Sequence, residues 1–203
     1  MNHIYLALYW ILYFILHSIL ASNLIKKIIK NKFSKLYPFY RLTYNGFALI
    51  TLILVLQFQG TITPTFLFQK TILLQITGFS IIALGAILGY LAFKNYSSSE
   101  FLGLDYNKPH EKNKDILKTS EFNSFVRHPL YFANLLLIWG YFIANPNSNI
   151  LIMNGVITAY LIIGTKLEEQ KLIKEFGQLY KDYINQVPML LPSRSLLFRL
   201  LKK

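Results

Sequence analysis

The chain has 203 residues, of which 54% are hydrophobic, 16% aromatic and only 15% charged. A soluble domain of this length carries nearer a quarter charged residues, and here the apolar residues come in long blocks, so the composition excludes an ordinary soluble globule and reads as an integral membrane protein. The absence of cysteine excludes disulfides, thiolate metal sites, iron–sulfur clusters and a cysteine nucleophile. The net charge of +12 does not point to nucleic acid, because the basic residues gather in loops beside apolar runs, where anionic lipid headgroups are the expected partner.

The first apolar block runs from about Ile4 to Ala21 and contains His17. It is long enough to span and lacks the basic start of a signal peptide, so it is expected to be a retained helix. A loop rich in lysine follows (Lys26, Lys27, Lys30, Lys32, Lys35). The second block, Tyr40 to Phe58, opens with Arg41, which shares a helix face with Asn45 four residues on. The third runs from Thr71 to Phe93.

A charged loop then leads to Arg127-His128-Pro129-Leu130-Tyr131. The fourth block, Pro129 to Ala144, and the fifth, Ile150 to Thr165, hold sixteen residues each. That is about 24 Å of helix against roughly 30 Å of hydrocarbon. Only Asn145–Asn149 separates them, which predicts a tight antiparallel hairpin whose inner ends stop short of one surface. From Lys166 to Asn185 the spacing of Leu172, Phe176, Leu179, Tyr180 and Tyr183 predicts one amphipathic helix, with Glu169 on its packed face and Glu168 at the edge. Gly177 marks a kink or a close approach. Pro188 and Pro192 end regular structure, and the basic tail Arg194 to Lys203 is expected to lie along headgroups.

The expected fold is therefore all-α and polytopic: about five transmembrane helices plus a cytoplasmic amphipathic C-terminal helix. Residues 1–93 form an N-terminal three-helix membrane region, and 94–203 a C-terminal region of loop, hairpin and helix. Of the 21 Lys and Arg, only Lys70 falls in the second loop. Five spans then place the N-terminus outside and the C-terminus in the cytoplasm, in a bacterial cytoplasmic membrane, with both polar motifs on the cytoplasmic side.

Those motifs carry the chemistry. Pro129 suits the first turn of the fourth helix. Arg127 and His128 flank that helix N-terminus, where free N–H groups attract an anion, and Arg127 can pair with a carboxylate. Tyr131, one turn on, faces the same way as His128. The pair Glu168–Glu169 supplies the opposite charge, suited to an ammonium, a ribose diol or a substrate proton. A ligand with both a carboxylate and an ammonium matches the two halves.

In order along the chain stand Arg-His-Pro-Leu-Tyr, an apolar hairpin, Glu-Glu, Phe176-Gly177, Tyr180, Tyr183, Val187-Pro188 and Leu191-Pro192. This order, over about Gly103 to Pro192, resembles the isoprenylcysteine carboxyl methyltransferase superfamily. His17-Ser18, Ala21-Ser22 and Tyr40-Arg41-Leu42 with Tyr44-Asn45 are similar to its NnrU-like and methanethiol S-methyltransferase branch. The resemblance implies a membrane methyltransferase that binds S-adenosylmethionine through Arg127, His128, Tyr131, Glu168 and Glu169. It implies a small or lipophilic thiol, carboxylate or lipid as acceptor, reaching the site from bilayer or cytoplasm. Catalytic roles then fall to Glu169 as the base that takes a thiol proton and to Arg41 as the holder of a substrate anion. No metal and no obligate protein partner is expected. The competing expectation is a non-catalytic NnrU-like protein with an assembly or haem- and nitrogen-oxide-related role; axial ligation by His17 and His128 is disfavoured by the lack of paired histidine spacing.

Overall fold

A computed structural model describes residues 2–94 and 121–192, with Leu117 and Thr119. Within them lie seven α-helices: α1 (Asn2–Ala21), α2 (Asn23–Lys32), α3 (Tyr40–Thr61), α4 (Ile72–Phe93), α5 (Pro129–Ala144), α6 (Ser148–Phe176) and α7 (Gln178–Gln186). Two short 3₁₀ turns, Tyr37–Phe39 and Glu121–Ser124, precede α3 and α5. The all-α expectation holds. Helices α1, α3, α4 and α6 are long and apolar enough to cross a membrane, and α5 is apolar but shorter. Their outward residues are large and apolar, for example Ile4, Leu49, Ile72 and Leu73. Apolar exposure of that extent on each of these helices needs lipid rather than water as its solvent. The expected interfacial tail Arg194 to Lys203 and most of the loop ahead of Arg127 lie outside the described residues.

Two boundaries differ from the expectation. The fifth block does not stop at Thr165. It continues to Phe176 as one 29-residue helix, about 43 Å long, so its charged end projects well beyond a hydrocarbon core of roughly 30 Å. Glu168 and Glu169 therefore sit within a helix rather than at the end of one. The predicted amphipathic helix over Lys166–Asn185 is accordingly not a separate element: Gly177, at φ 59° and ψ −126°, divides it between α6 and α7. That backbone conformation is nearly exclusive to glycine, and a Cβ there would meet nothing within 4 Å. Gly177 is thus a kink residue and not a packing contact. Because the helical register does not run through it, Leu179 is 60% exposed while Tyr180, Tyr183 and Val187 form a buried cluster with Leu172, Ile173 and Phe176 against it.

The chain divides into two compact units. The first contains α1, α2, α3 and the start of α6 as far as Ile157. Here α1 and α3 are joined at several levels: Trp10 Nε1 donates to Gln59 Oε1 at 3.0 Å, the rings of Tyr9 and Phe58 meet edge-on at 4.6 Å, and Tyr40 donates its hydroxyl to the Leu20 carbonyl at 2.6 Å. His17 is hydrogen-bonded to the Tyr44 hydroxyl at 2.8 Å, an interhelical role of the kind polar residues in apolar helices commonly take. Asn147 caps the start of α6 by accepting from the amides of Asn149 and Ile150. Asn149 donates to the Ile62 carbonyl at 2.7 Å, and His3 contacts both Asn149 and Ser148. The amphipathic α2, whose N-cap Ser22 accepts from Ile25 N–H, occupies the stretch expected as a basic loop.

The second unit contains α4, α5, the remainder of α6 and α7. Trp139 of α5 donates to Thr158 of α6 at 3.1 Å, as in an antiparallel hairpin. Helices α4 and α5 approach at backbone distance: a Cβ on Gly78 would lie 2.5 Å from Ala144 N, and one on Gly140 would lie 2.9 Å from Gly78 O. Small residues permit this interlock, which in lipid is a main source of helix association. Gly78→Ala is expected to lower the thermal midpoint in detergent, by roughly 1–3 kcal/mol of overpacking. Gly46→Ala, where nothing lies within 4 Å, is expected to leave it unchanged or raise it, since alanine is favoured in helices by about 1 kcal/mol. Equal effects at both sites would contradict the interlock.

Candidate active site

The site is assembled in the second unit from the stretch before α5, the middle of α6 and the segment after α7. Pro129 sits at N1 of α5, and His128 is its N-cap residue but makes no side-chain capping bond. The imidazole is therefore free of that structural duty and turns elsewhere. Two backbone bonds hold the motif in place: Arg127 N–H donates to Pro188 O at 2.9 Å and His128 N–H to Met189 O at 3.2 Å. The segment after Pro188 is thus part of the site rather than a mere terminator.

Arg127 is 7% exposed and Glu169 14% exposed along their side chains. Arg127 donates from Nε and Nη2 to Glu169 Oε1, both at 2.7 Å. Its Nη1 donates to the carbonyls of Ile184, at 3.2 Å, and Val187. The two motifs, 42 residues apart in sequence, therefore meet in a buried ion pair. The carboxylate that Arg127 holds is Glu169's own, where the sequence pointed to a ligand's. Among the described residues, the hydrogen bonds and ion pairs of Glu169, including that with His128 Nε2 at 3.2 Å, use Oε1. Oε2 is left as the oxygen able to accept a proton.

His128 is 6% exposed. Burial holds its pKa below the ordinary histidine value; the charges of Glu168 and Glu169 oppose that shift, and Arg127 reinforces it. The imidazole is therefore neutral, and since a carboxylate only accepts, the proton sits on Nε2 facing Glu169. Nδ1 then presents a lone pair, 3.8 Å from Glu168 Oε2. Two acceptors at that spacing, one of them on a 46% exposed carboxylate, form a cradle for a cationic N–H donor. Tyr131 lies beside His128, its ring tilted 54° to the imidazole with centroids 5.7 Å apart. Tyr180 is 1% exposed, and its hydroxyl, near the Arg127 guanidinium, makes no hydrogen bond of regular geometry among the described residues. Burial, and then the charge of Glu169, raise its pKa, so it stays protonated. Tyr183 donates to the carbonyl of Asn123, and burial pushes its hydroxyl up to about 12.

The charge balance tests the expected cofactor. Glu168 and Glu169 are anionic, Arg127 is cationic and His128 neutral, so the cluster keeps one negative charge. S-adenosylmethionine, with a sulfonium, an ammonium and a carboxylate, carries one net positive charge, and its ammonium matches the Nδ1–Glu168 cradle. The residues fit the group. Arg41, the remaining predicted site residue, lies exposed in the first turn of α3, in the first unit. The carbonyls of Ile184 and Val187 and the acceptor on Asn123 were not foreseen, since backbone groups leave no mark in residue type.

A neutral buried histidine has a consequence for pH. Below its ordinary pKa of about 6.5 the unfolded chain binds a proton that the folded protein resists, so stability falls as pH falls through that window. Thermal midpoints measured from pH 8 to pH 5 are expected to decline for the wild type and to decline less steeply for His128→Gln. Parallel curves would contradict the burial of an uncharged imidazole.

The fold and site define a helical membrane protein with a buried Arg–Glu–His cluster. Residues 73–179 match the phospholipid methyltransferase family, and the chain belongs to that family. It is 30% identical over 161 residues to the methanethiol S-methyltransferase of Crocosphaera subtropica, covering 76% of this chain and 62% of that protein. Methanethiol S-methyltransferase 1 of Bradyrhizobium diazoefficiens is 30% identical over 162 residues, 77% of this chain and 56% of that one. The methanethiol S-methyltransferase of Pseudomonas deceptionensis is 36% identical over 92 residues, 44% and 34% respectively. The chain thus spans 62% or less of the length of these relatives. No solved structure matches it. The likeness read from the Arg-His-Pro-Leu-Tyr and Glu-Glu motifs is borne out.

Proposed function

We propose that this chain is a membrane-embedded methyltransferase that uses S-adenosylmethionine and methylates a small thiol, methanethiol being the acceptor named in its relatives. The observation that carries the reading is the joining of the two motifs in one buried cluster with a net negative charge and an outward pair of acceptors. When bound, the cofactor supplies a methyl group on a sulfonium, open to in-line displacement. Glu168 and His128 Nδ1 would bind its ammonium, and Tyr131 would close one side. Arg127 holds Glu169 and is itself anchored by the carbonyls of Ile184 and Val187. Glu169 Oε2 takes the thiol proton. The thiolate left by that proton transfer would be the nucleophile for the methyl group the cofactor supplies. Arg41 is proposed to bind a substrate anion, as its charge and exposure allow.

The proposed orientation, with the N-terminus outside and the site on the cytoplasmic side of a bacterial cytoplasmic membrane, is supported by the single basic residue of the second loop. Purified protein given methanethiol and S-adenosylmethionine is expected to release dimethyl sulfide, read by gas chromatography. Protein that binds the cofactor yet methylates no thiol would sink the thiol reading.

A further inference from the structure

Beside the ion cluster lies a partly open cavity of about 170 Å³. Leu88 of α4, Phe122 of the 3₁₀ turn, Phe125 just after it, Pro129 and Phe132 of α5, and Pro192 line it. Val126, 2% exposed, completes the wall. Val126 precedes Arg127 and Pro129 follows His128 in the chain, so two of the residues lining the cavity flank residues of the site. The backbone bonds of Arg127 and His128 to Pro188 and Met189 bring the stretch leading to Pro192 against the same wall.

These side chains offer carbon and no hydrogen-bonding group. An adenine ring, a ribose or an amino-acid end placed there would leave its polar atoms unpaired, which is costly. The cavity therefore suits the apolar part of a ligand. Its volume compares with the cavity of about 150 Å³ that holds benzene in another protein. A prenyl group or a phospholipid chain is too large for it, and a single methyl group fills only a small part. A thiol is the nucleophile that such surroundings tolerate best, because sulfhydryl groups behave as small hydrophobes.

We propose that this cavity seats the apolar group of the methyl acceptor, and that the acceptor class is small apolar thiols up to about the size of benzenethiol, beyond methanethiol itself. The proposal rests on the thiol methyltransferase reading above and assigns where the acceptor sits and what limits its size. The acceptor's S–H would face the Arg127–His128–Glu169 side, where its proton would pass to Glu169.

The test is a size series on the purified full chain: methanethiol, butanethiol, benzenethiol, decanethiol and a prenylcysteine, each with S-adenosylmethionine. The expected kcat/KM rises to a maximum at four to six carbons and then falls at least about tenfold for decanethiol and the prenylcysteine. Leu88→Trp, which fills the cavity, is expected to lower the benzenethiol-to-methanethiol ratio by at least about tenfold. Phe132→Ala, which enlarges it, is expected to raise that ratio. Saturation-transfer NMR with toluene provides a readout independent of turnover, with binding in the wild type and none in Leu88→Trp.

A kcat/KM that keeps rising through decanethiol, or a ratio that neither variant moves, would overturn the cavity assignment and leave thiol methylation standing. Loss of S-adenosylmethionine binding in folded Leu88→Trp would also overturn it, since the cavity would then hold part of the cofactor. A wild type that binds cofactor and methylates no thiol removes the functional reading and the acceptor assignment together, and the toluene experiment still decides whether the cavity takes an apolar ligand.

Discussion

Arg127→Ala is expected to lower stability by about 3–5 kcal/mol, the cost of leaving one member of a buried ion pair unpartnered. The reason lies in how many elements one guanidinium joins. It meets Glu169 in α6 with two nitrogens and the Ile184 and Val187 carbonyls of and after α7 with the third. Removing it strands a carboxylate that is 14% exposed and two carbonyls, and loosens the kinked join at Gly177. Thermal unfolding in detergent measures the loss, and calorimetry is expected to show S-adenosylmethionine binding lost with it. Arg127→Lys is expected to fall between, because an ammonium keeps the charge but cannot serve three directions from one plane. A wild-type midpoint in Arg127→Ala would remove the guanidinium from its place as the joint of the site.

Glu169→Gln separates binding from chemistry. The amide oxygen can still accept from Arg127 and His128, so the site is expected to keep its shape, with cofactor affinity weakened by loss of the cluster's negative charge but binding still measurable. What it loses is the proton acceptor at Oε2, and turnover of a thiol is expected to drop by about 10² to 10⁴, the range for removal of a general base. The drop should shrink as pH rises toward the acceptor's own pKa, where the thiolate forms without help. Full turnover in Glu169→Gln with cofactor binding intact would end the assignment of Glu169 as base.

Much of this site could be read from residue order alone, for identifiable reasons. Arg127-His128-Pro129 announces a helix start, because proline at N1 has few other uses beside an apolar run, and α5 begins there. Glu169 falls at helical spacing from Leu172 and Phe176, so its burial follows from the spacing. What stayed hidden depends on atoms that residue types do not encode. Arg127's carbonyl partners are backbone groups of α7 and the residues after it. The α4–α5 interlock needs Gly78 and Gly140 to meet at one height, which neither helix's sequence states by itself. His3, which carried no signal, contacts Asn149 from 146 residues away. Leu179 was placed on the packed face only because the spacing was continued through Gly177, whose positive φ ends the register.

The central claim is that the cluster of Arg127, His128, Glu168 and Glu169 holds a cationic methyl donor. Isothermal calorimetry of S-adenosylmethionine with detergent-purified protein, wild type beside Glu168→Gln, tests it most directly. One-to-one micromolar binding by the wild type is expected, weakened at least tenfold in Glu168→Gln by loss of the carboxylate opposite His128 Nδ1. Absence of binding in folded wild-type protein, or equal affinity in the two, would contradict it.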